Sequence, residues 1–342
     1  MAKKPTLAYI VATNLEHPGL TLKFEGQLDG LSTYFQTQFI YYHYKNNDSN
    51  PIKLIKYLIF ELMSLFAFMG NNRIYLRYDP KAILSNIYAM LFSLYKPVYL
   101  EHNGIFDHSL SLLNRNAELK LHLLTQYLFQ FFPITHIGVT KQIQSFLKSK
   151  KIKQTLYIQN GYQKVKSIEP LSKQSINLLK TFRKKHKKIG VFIGNGYVWH
   201  GMEKISDLFK QYPDIGLVVI GKGYENNNKS ENILFMGPLN SSKTKLVFEF
   251  CDFGVGAFNC QLTGFTEVCP LKTREYLCYG LPILINISDC ASDFTQLKPY
   301  IFNYAESEQA FEDIIQVDAD KDKLSKLAEH CFSWKELLKP II

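Results

Sequence analysis

Residues 264–283 read GFTEVCPLKTREYLCYGLPI, and this stretch decides the fold. Pro270 suits the start of a helix, Gly280 suits the position just past its end, and Pro282 prevents its continuation. The pattern predicts a short helix from Leu271 to Tyr279, followed at once by a buried strand. A strand, a well-bounded helix and a strand in quick succession are typical of a parallel α/β sheet.

The same alternation runs through the rest of the chain. Short apolar runs such as Leu7–Ala12 alternate with helical patterns such as Ile52–Met69. A polar, lysine-rich segment around Pro170 separates two series of these units, and 342 residues are too many for one comfortable core. We predict two Rossmann-like doubly wound domains facing each other across a cleft: residues 1–170, residues 171–325, and a C-terminal helix in 326–342 that packs back toward the first domain.

Composition favours a folded protein with an anionic partner. The chain is 46% hydrophobic and 20% charged, and its formal net charge is +10. Part of the excess lies in two lysine runs, at 141–153 and 180–188. They indicate either solvated helix faces or a surface that docks on anionic lipid. No nucleic-acid-binding motif is present, so a nucleic-acid partner is not expected.

The start of the chain and its cysteines indicate a cytoplasmic protein. Met1-Ala-Lys-Lys-Pro leads into a strand-like run without a signal-peptide cleavage site. The apolar run Leu62–Met69 is too short to span a bilayer and predicts a buried helix. The six cysteines match no zinc spacing, so we expect them to be reduced and buried.

Two carboxylates bracket the start of the predicted helix. Glu267 precedes it and Glu275 lies on it, with seven residues between them. The free N–H groups at the helix start suit a diphosphate, and Lys272 and Arg274 could neutralise further charge. We prefer Lys272, because Arg274 adjoins Glu275 and should face elsewhere on the helix.

The stretch from Glu267 to Pro282 also resembles the signature of a known enzyme family. The E-x7-E pattern followed by E-Y-L-x-x-G-x-P resembles the donor-site signature of family-4 retaining GT-B glycosyltransferases. Weaker likenesses occur in family order: I-x-N-G at 158–161, F-x-G at 192–194, I-G-x-G at 220–223 and S-W at 333–334. The resemblance covers most of the chain and implies the GT-B fold.

The resemblance also implies roles for donor-site residues. Glu275 would bind the ribose and Glu267 the hydroxyls of the transferred sugar, as a catalytic-site residue. Backbone groups around Met236, Gly237 and Leu239 would hold the base. The family's pyrophosphate-binding Arg and Lys correspond here to Asn195 and His200, and Val268-Cys269-Pro270 replaces the family's G-F-G.

In the first domain, a polar loop follows a strand at Tyr99–Gly104. His102 is the first catalytic candidate there, with Glu101 and Asn103 beside it, because ligands bind at the carboxyl ends of parallel strands. Gly19, after the first strand, could let backbone approach phosphate or acceptor.

Together these observations predict a retaining transferase. It would move a hexose or N-acetylhexosamine from a nucleotide diphosphate sugar, UDP-sugar favoured, to a saccharide or lipid-linked acceptor in cell-surface polysaccharide synthesis. No convincing D-x-D motif or other metal-binding cluster is present, so no cofactor or metal is expected, and the lysine runs suggest the inner membrane face. The alternatives are a nucleotide-sugar epimerase or phosphorylase of the same fold, and a non-catalytic polyanion- or membrane-binding protein.

Overall fold

The computed structural model describes the chain except residues 1–3, 14–17, 44–47, 113, 166, 168 and 225–229. Two compact units are present: Met1–Gly161 together with Trp334–Ile342, and Tyr162–Ser333. The first break therefore comes before the predicted boundary at residue 170. Tyr162 is buried in the core of the second unit, which accounts for the difference.

The first unit contains a six-stranded parallel sheet in the order β2-β1-β3-β4-β5-β6. Its central strands are buried over almost their whole length, as expected for a sheet covered on both faces. The strands are β1 (Thr6–Val11), β2 (Gln36–Tyr41), β3 (Arg73–Arg77), β4 (Val98–His102), β5 (Thr135–Gly138) and β6 (Thr155–Tyr157).

Helices connect these strands, and one further helix comes from the end of the sequence. Those in the connections are α1 (Pro18–Tyr34), α2 (Asn50–Gly70), α3 (Ile83–Ser93), α4 (Phe106–Leu112), α5 (Asn116–Phe129) and α6 (Lys141–Ser149). Residues Trp334–Leu337 form a short helix that packs on α1, where the side chains of Trp334 and Leu338 join the core.

The second unit contains another six-stranded parallel sheet, in the order β14-β12-β10-β7-β8-β9. Its strands are β7 (Lys188–Ile193), β8 (Ile215–Ile220), β9 (Ile233–Gly237), β10 (Phe253–Val255), β12 (Ile283–Ile285) and β14 (Ile301–Asn303). Counted within the unit, this is the dinucleotide-binding order, which reverses direction between β7 and β10. A separate pair is formed by β11 (Glu267–Val268) and β13 (Ser288–Asp289).

The helices of the second unit pack on this sheet. They are α7 (Lys173–Lys185), α8 (Met202–Lys210), α9 (Ser241–Phe248), α10 (Leu271–Cys278), α11 (Gln309–Gln316) and α12 (Lys321–Cys331); the short Trp334–Leu337 helix of the first unit is α13. The predicted α/β class, with two Rossmann-like parallel sheets, is confirmed.

Two local predictions differ from the structure. The polar segment after Pro170 contains α7, which Ser172 caps by accepting a hydrogen bond from the Ser175 amide and which buries only Leu179 and Phe182. The expectation that Leu62–Met69 forms a buried helix is wrong in part, because the outer side of α2 is exposed.

Candidate functional site

Helix α10 begins close to the point where the strand order of the second sheet reverses. Its N-cap residue, Pro270, has no side chain that can accept a hydrogen bond, so it provides no side-chain cap for the first turn. At the other end the amides of Gly280 and Leu281 donate to the carbonyls of Leu277 and Tyr276, at 2.9 and 3.0 Å, which is the Schellman arrangement. The predicted helix and its glycine stop are confirmed.

The Lys272 ammonium lies in a solvent-shielded place without a hydrogen-bond acceptor. Its Nζ is buried and has no partner among the described residues, and it sits 4.3 Å from the centre of the Phe192 ring. Burial lowers the pKa of Lys272 to about 8. A desolvated cation over a ring gains about 2 kcal/mol or more, whereas the lost hydration of the ion costs several kcal/mol, so the ring offsets only part of that cost. The site is therefore suited to receive an anion.

His200 lies beside this ammonium, on a single helical turn at Val198–His200 after β7. The hydroxyl of Tyr224 lies 3.1 Å from its Nδ1, and the amide of Asn195 donates to the same nitrogen at 3.4 Å. Burial, followed by the charge of Lys272, lowers the pKa of His200 to about 3. The neutral ring with Nδ1 as acceptor carries its proton on Nε2, which makes that nitrogen a donor.

Glycines allow the loops at the ends of β7 and β8 to meet. A Cβ atom on Gly221, whose φ is +138°, would lie 1.5 Å from the carbonyl oxygen of Gly194. A Cβ on Gly194 would in turn lie 2.6 Å from the Tyr224 hydroxyl and 2.7 Å from Nδ1 of His200. The backbone therefore requires glycine in order to bring His200 and Tyr224 together.

Glu275 lies one turn after Lys272, so both side chains share one side of α10. Burial raises the pKa of Glu275 to about 7, and the nearby Tyr162 hydroxyl opposes the shift. The hydroxyls of Tyr162 and Tyr279 are buried without a hydrogen bond of ordinary length within the described structure. A carboxyl group beside two buried hydroxyls suits a ligand rich in hydroxyl groups.

Arg274 pairs with a carboxylate of the protein, whereas a donor-site cation is expected to bind the diphosphate. Its guanidinium donates to Asp289 Oδ1 at 2.5 Å, and both side chains are fully buried. Thr273 Oγ1 donates to the other oxygen of Asp289 at 2.8 Å. These bonds tie α10 to β13, so we leave Arg274 out of the proposed phosphate contacts.

Glu267 and the segment predicted to hold the base are on short, irregular strands. Glu267 pairs in register with Ser288 and is half-buried. On β9, Phe235 and Gly237 pair with consecutive residues of β8, which leaves Met236 as an extra residue in a bulge. A bulge frees backbone N–H and C=O groups from the ladder and is common beside active sites. Leu239 follows, partly buried against the core.

In the first unit, Glu101 is the centre of a buried polar network. Lys23 and Asn103 donate to its Oε1 at 2.7 and 2.6 Å, and Tyr75 and Gln27 donate to its Oε2 at 2.6 and 2.5 Å. Burial acts to raise the pKa of Glu101, but the charge of Lys23 and these hydrogen bonds outweigh it and hold the pKa at about 2. The carboxylate has no acceptor capacity left, so it positions Asn103 and Lys23.

His102 is buried next to this network. Its Nε2 lies 2.9 Å from Nδ1 of His136, and its ring lies 4.7 Å from that of Tyr78, centre to centre. Burial, then the neighbouring His136 and His122, holds the pKa of His102 well below its usual range. The ring is neutral at physiological pH, and its catalytic role stays a prediction. Gly19 is half-buried near the start of α1, and its role also stays a prediction.

A depression of about 530 Å³ lies elsewhere on the second unit, lined by Lys188, Tyr212 and Ile215 among others. Lys188 and Ile215 begin β7 and β8. Ligands of parallel α/β sheets bind at the opposite, carboxyl ends of the strands, so we do not place the site there.

Solved structures share this architecture over nearly the whole chain. HepE of Anabaena in complex with UDP is 12% identical, with a TM-score of 0.55, and 98% of each chain is covered. Sucrose-phosphate synthase from Thermosynechococcus elongatus is 12% identical, with a TM-score of 0.62, and 99% of this chain and 97% of that one are covered. UDP-N-acetylglucosamine 2-epimerase from Rickettsia bellii is 11% identical, with a TM-score of 0.52, and 99% and 96% are covered.

By sequence, no protein-family model and no curated protein matches the chain. The likeness to solved structures is one of architecture. Two parallel sheets of the Rossmann type, each with its helices, match those structures along their full length, and the chain has the GT-B fold.

Proposed function

We propose that the chain is a retaining glycosyltransferase that moves a hexose or N-acetylhexosamine from a UDP-sugar to a saccharide or lipid-linked acceptor. The observation that carries the proposal is the shielded Lys272 ammonium at the uncapped start of α10. A buried cation without a protein acceptor costs several kcal/mol unless an anion occupies the site. The diphosphate of a nucleotide sugar supplies that anion.

The surrounding groups fit the other parts of such a donor. Glu275 would accept hydrogen bonds from the ribose hydroxyls, and the bulge at Met236 offers backbone groups to the base. Glu267 would bind hydroxyls of the transferred sugar. In transfer, the bond from the anomeric carbon to the diphosphate breaks, and the acceptor oxygen bonds to that carbon on the same face.

The positively charged and hydrogen-bond-donating groups of the site suit the negative charge that develops during this transfer. The acceptor oxygen attacks on the face that the diphosphate leaves, so no covalent nucleophile is required, and the leaving diphosphate takes up the acceptor proton. Lys272, the helix amides and the Nε2–H group of His200 would stabilise the negative charge that develops on it. The proposal assigns no metal to this step.

A nucleotide-sugar epimerase is the second candidate, because an epimerase is among the structures that share the architecture. Both candidates bind UDP-sugar. Product analysis separates them, since a transferase gives a new glycoside only with an acceptor, whereas an epimerase converts the donor sugar without one.

Calorimetric titration with UDP and GDP tests the donor site. We expect UDP to bind the wild type, and Lys272→Met and Glu275→Ala each to weaken binding about tenfold or more, because each removes a charged hydrogen-bonding group. Lys210→Met is the matched control, since Lys210 lies on the surface of the same unit and pairs with Asp207. Absence of binding by either nucleotide in the wild type would support the non-catalytic alternative.

A further inference from the structure

Helix α2 of the first unit exposes its apolar side to solvent. Leu54, Ile55, Leu58, Leu62 and Phe66 are each between 53% and 61% exposed, at helical spacing along one side. The side that faces the unit includes the buried polar residues Glu61 and Ser64. That side also carries buried apolar residues, so α2 is apolar on both its buried and its exposed side, unlike the usual amphipathic helix of a water-soluble protein.

Helix α3 lies against α2 and continues the same surface. The Phe68 ring contacts those of Tyr88 and Phe92, with centres 5.9 and 5.5 Å apart, and Ser85 donates to Glu61 at 2.6 Å. On its outer side α3 exposes Ile87 and Leu91, followed by Leu94 and Tyr95, the last 84% exposed. The two helices form one apolar surface, which we call the α2–α3 surface.

The topology places further helices on the same face of the sheet. From β2 through β3, β4, β5 and β6 the chain moves in one direction across the sheet, and crossovers between parallel strands are right-handed, so α2, α3, α5 and α6 share a face. On this face α5 exposes Tyr127, and Phe131 just beyond it is also exposed. Lys141, Lys148 and Lys151, on and after α6, are exposed as well.

Charge around the α2–α3 surface has one dominant sign. Glu61 is the only acidic residue in the sequence of α2 and α3, and it is buried. Lys81, at the approach to α3, is exposed, and Lys56 on α2 is half-exposed although Asp48 pairs with it. An apolar centre with lysines around it complements an anionic surface.

We propose that the α2–α3 surface docks on a lipid bilayer with anionic headgroups, with both helices lying in the plane of the membrane interface. None of the helices in the described part of the chain is long and apolar enough to cross a bilayer, so α2 would lie on the membrane. A second copy is disfavoured as the occupant, because a two-fold contact would bring the lysines of both copies together. The proposal stands independently of the transferase activity.

Vesicle sedimentation tests this docking. The probes are vesicles of phosphatidylcholine alone and of phosphatidylcholine mixed with phosphatidylglycerol. We expect the wild type to sediment with the anionic vesicles, and Leu58→Glu and Leu91→Glu each to weaken binding about tenfold. Ile342→Glu is the matched control, because Ile342 is 54% exposed and belongs to the same unit but follows α13, which packs on α1.

Three results would overturn the proposal: a wild type that does not bind anionic vesicles, variants that bind as well as the wild type, and equal loss in the Ile342→Glu control. A wild-type dimer in light scattering that dissociates in Leu58→Glu, without vesicle binding, would assign the surface to a second copy instead. A far-UV circular dichroism spectrum and a melting temperature that match those of the wild type show that each variant is folded.

Discussion

Lys272 has opposite effects on the free protein and on the proposed complex. In the free protein its ammonium is shielded and has no acceptor among the described residues. In the complex the same charge would face a diphosphate. A residue that destabilises a fold while favouring a ligand is typical of a functional site.

We therefore predict that a variant without this ammonium gains stability while it loses affinity for UDP. Because the pKa of Lys272 is about 8 in the fold and 10.5 in the free side chain, the ammonium opposes folding below pH 8. This penalty declines as the pH rises from 8 to 10.5. We expect Lys272→Met to raise the free energy of unfolding by about 3 kcal/mol at pH 7, with the difference from the wild type narrowing toward pH 10.5.

Urea denaturation at several pH values measures this effect. Lys210→Met should stay within about 0.5 kcal/mol of the wild type, as expected for an exposed position. A clear loss of stability in Lys272→Met would indicate that the lysine holds the fold together, and the argument from its charge would fail.

The sequence predicts part of the candidate site. The positions of Lys272 and Glu275 on one side of a short helix follow from local spacing. The Arg274–Asp289 pair does not, because it joins residues brought together by the pairing of β11 with β13. The network around Glu101 is also non-local, since it includes Lys23 and Tyr75 from other elements.

At the scale of elements, the end of α10 fixes how the helix leads into β12. Gly280 has φ +75°, and a Cβ atom there would lie 2.3 Å from the carbonyl oxygen of Lys321. Both the left-handed backbone and the close approach of α12 therefore require glycine.

We predict that Gly280→Ala lowers the free energy of unfolding by more than about 2 kcal/mol, because it adds backbone strain to a steric clash. Gly70→Ala is the comparison, since no atom lies within 4 Å of a Cβ placed there. Thermal denaturation followed by circular dichroism measures both variants. Equal melting temperatures for Gly280→Ala and the wild type would contradict the account.

The local sequence pattern predicts the positions of helices and strands better than it predicts which side of each one is buried. The residues of α2 are apolar on nearly all sides, so periodicity could not show that its outer face is exposed. In α7, by contrast, lysines outnumber the two buried apolar residues, so the sequence pattern of this helix resembles that of a polar linker. In both helices tertiary contacts decide the outcome.

At the scale of the molecule, the sequence predicts two parallel sheets because most of the strands are short apolar runs that alternate with helical patterns. It does not fix the division between the units. Tyr162 and Leu171 look like linker residues beside polar neighbours, yet they pack into the second core.

Cysteine reactivity tests the packing of the second unit, which contains all six cysteines. All six cysteines are free, and five are buried; Cys260 is the exception. We predict that a disulfide-exchanging thiol reagent modifies at most Cys260 in the native protein and all six in guanidinium chloride, because buried thiols are inaccessible. Fast native reaction of several cysteines, or fewer than six after denaturation without reductant, would contradict the structure.

The packing of Trp334 and Leu338 on α1 has a consequence for biosynthesis. The first unit begins the chain, but its core lacks these side chains until residues up to Leu338 have left the ribosome. Throughout translation of the second unit, the apolar residues of α1 that these side chains cover stay exposed. A nascent chain interrupted anywhere before Trp334 therefore exposes apolar residues of α1, and chaperones and proteases bind such surfaces.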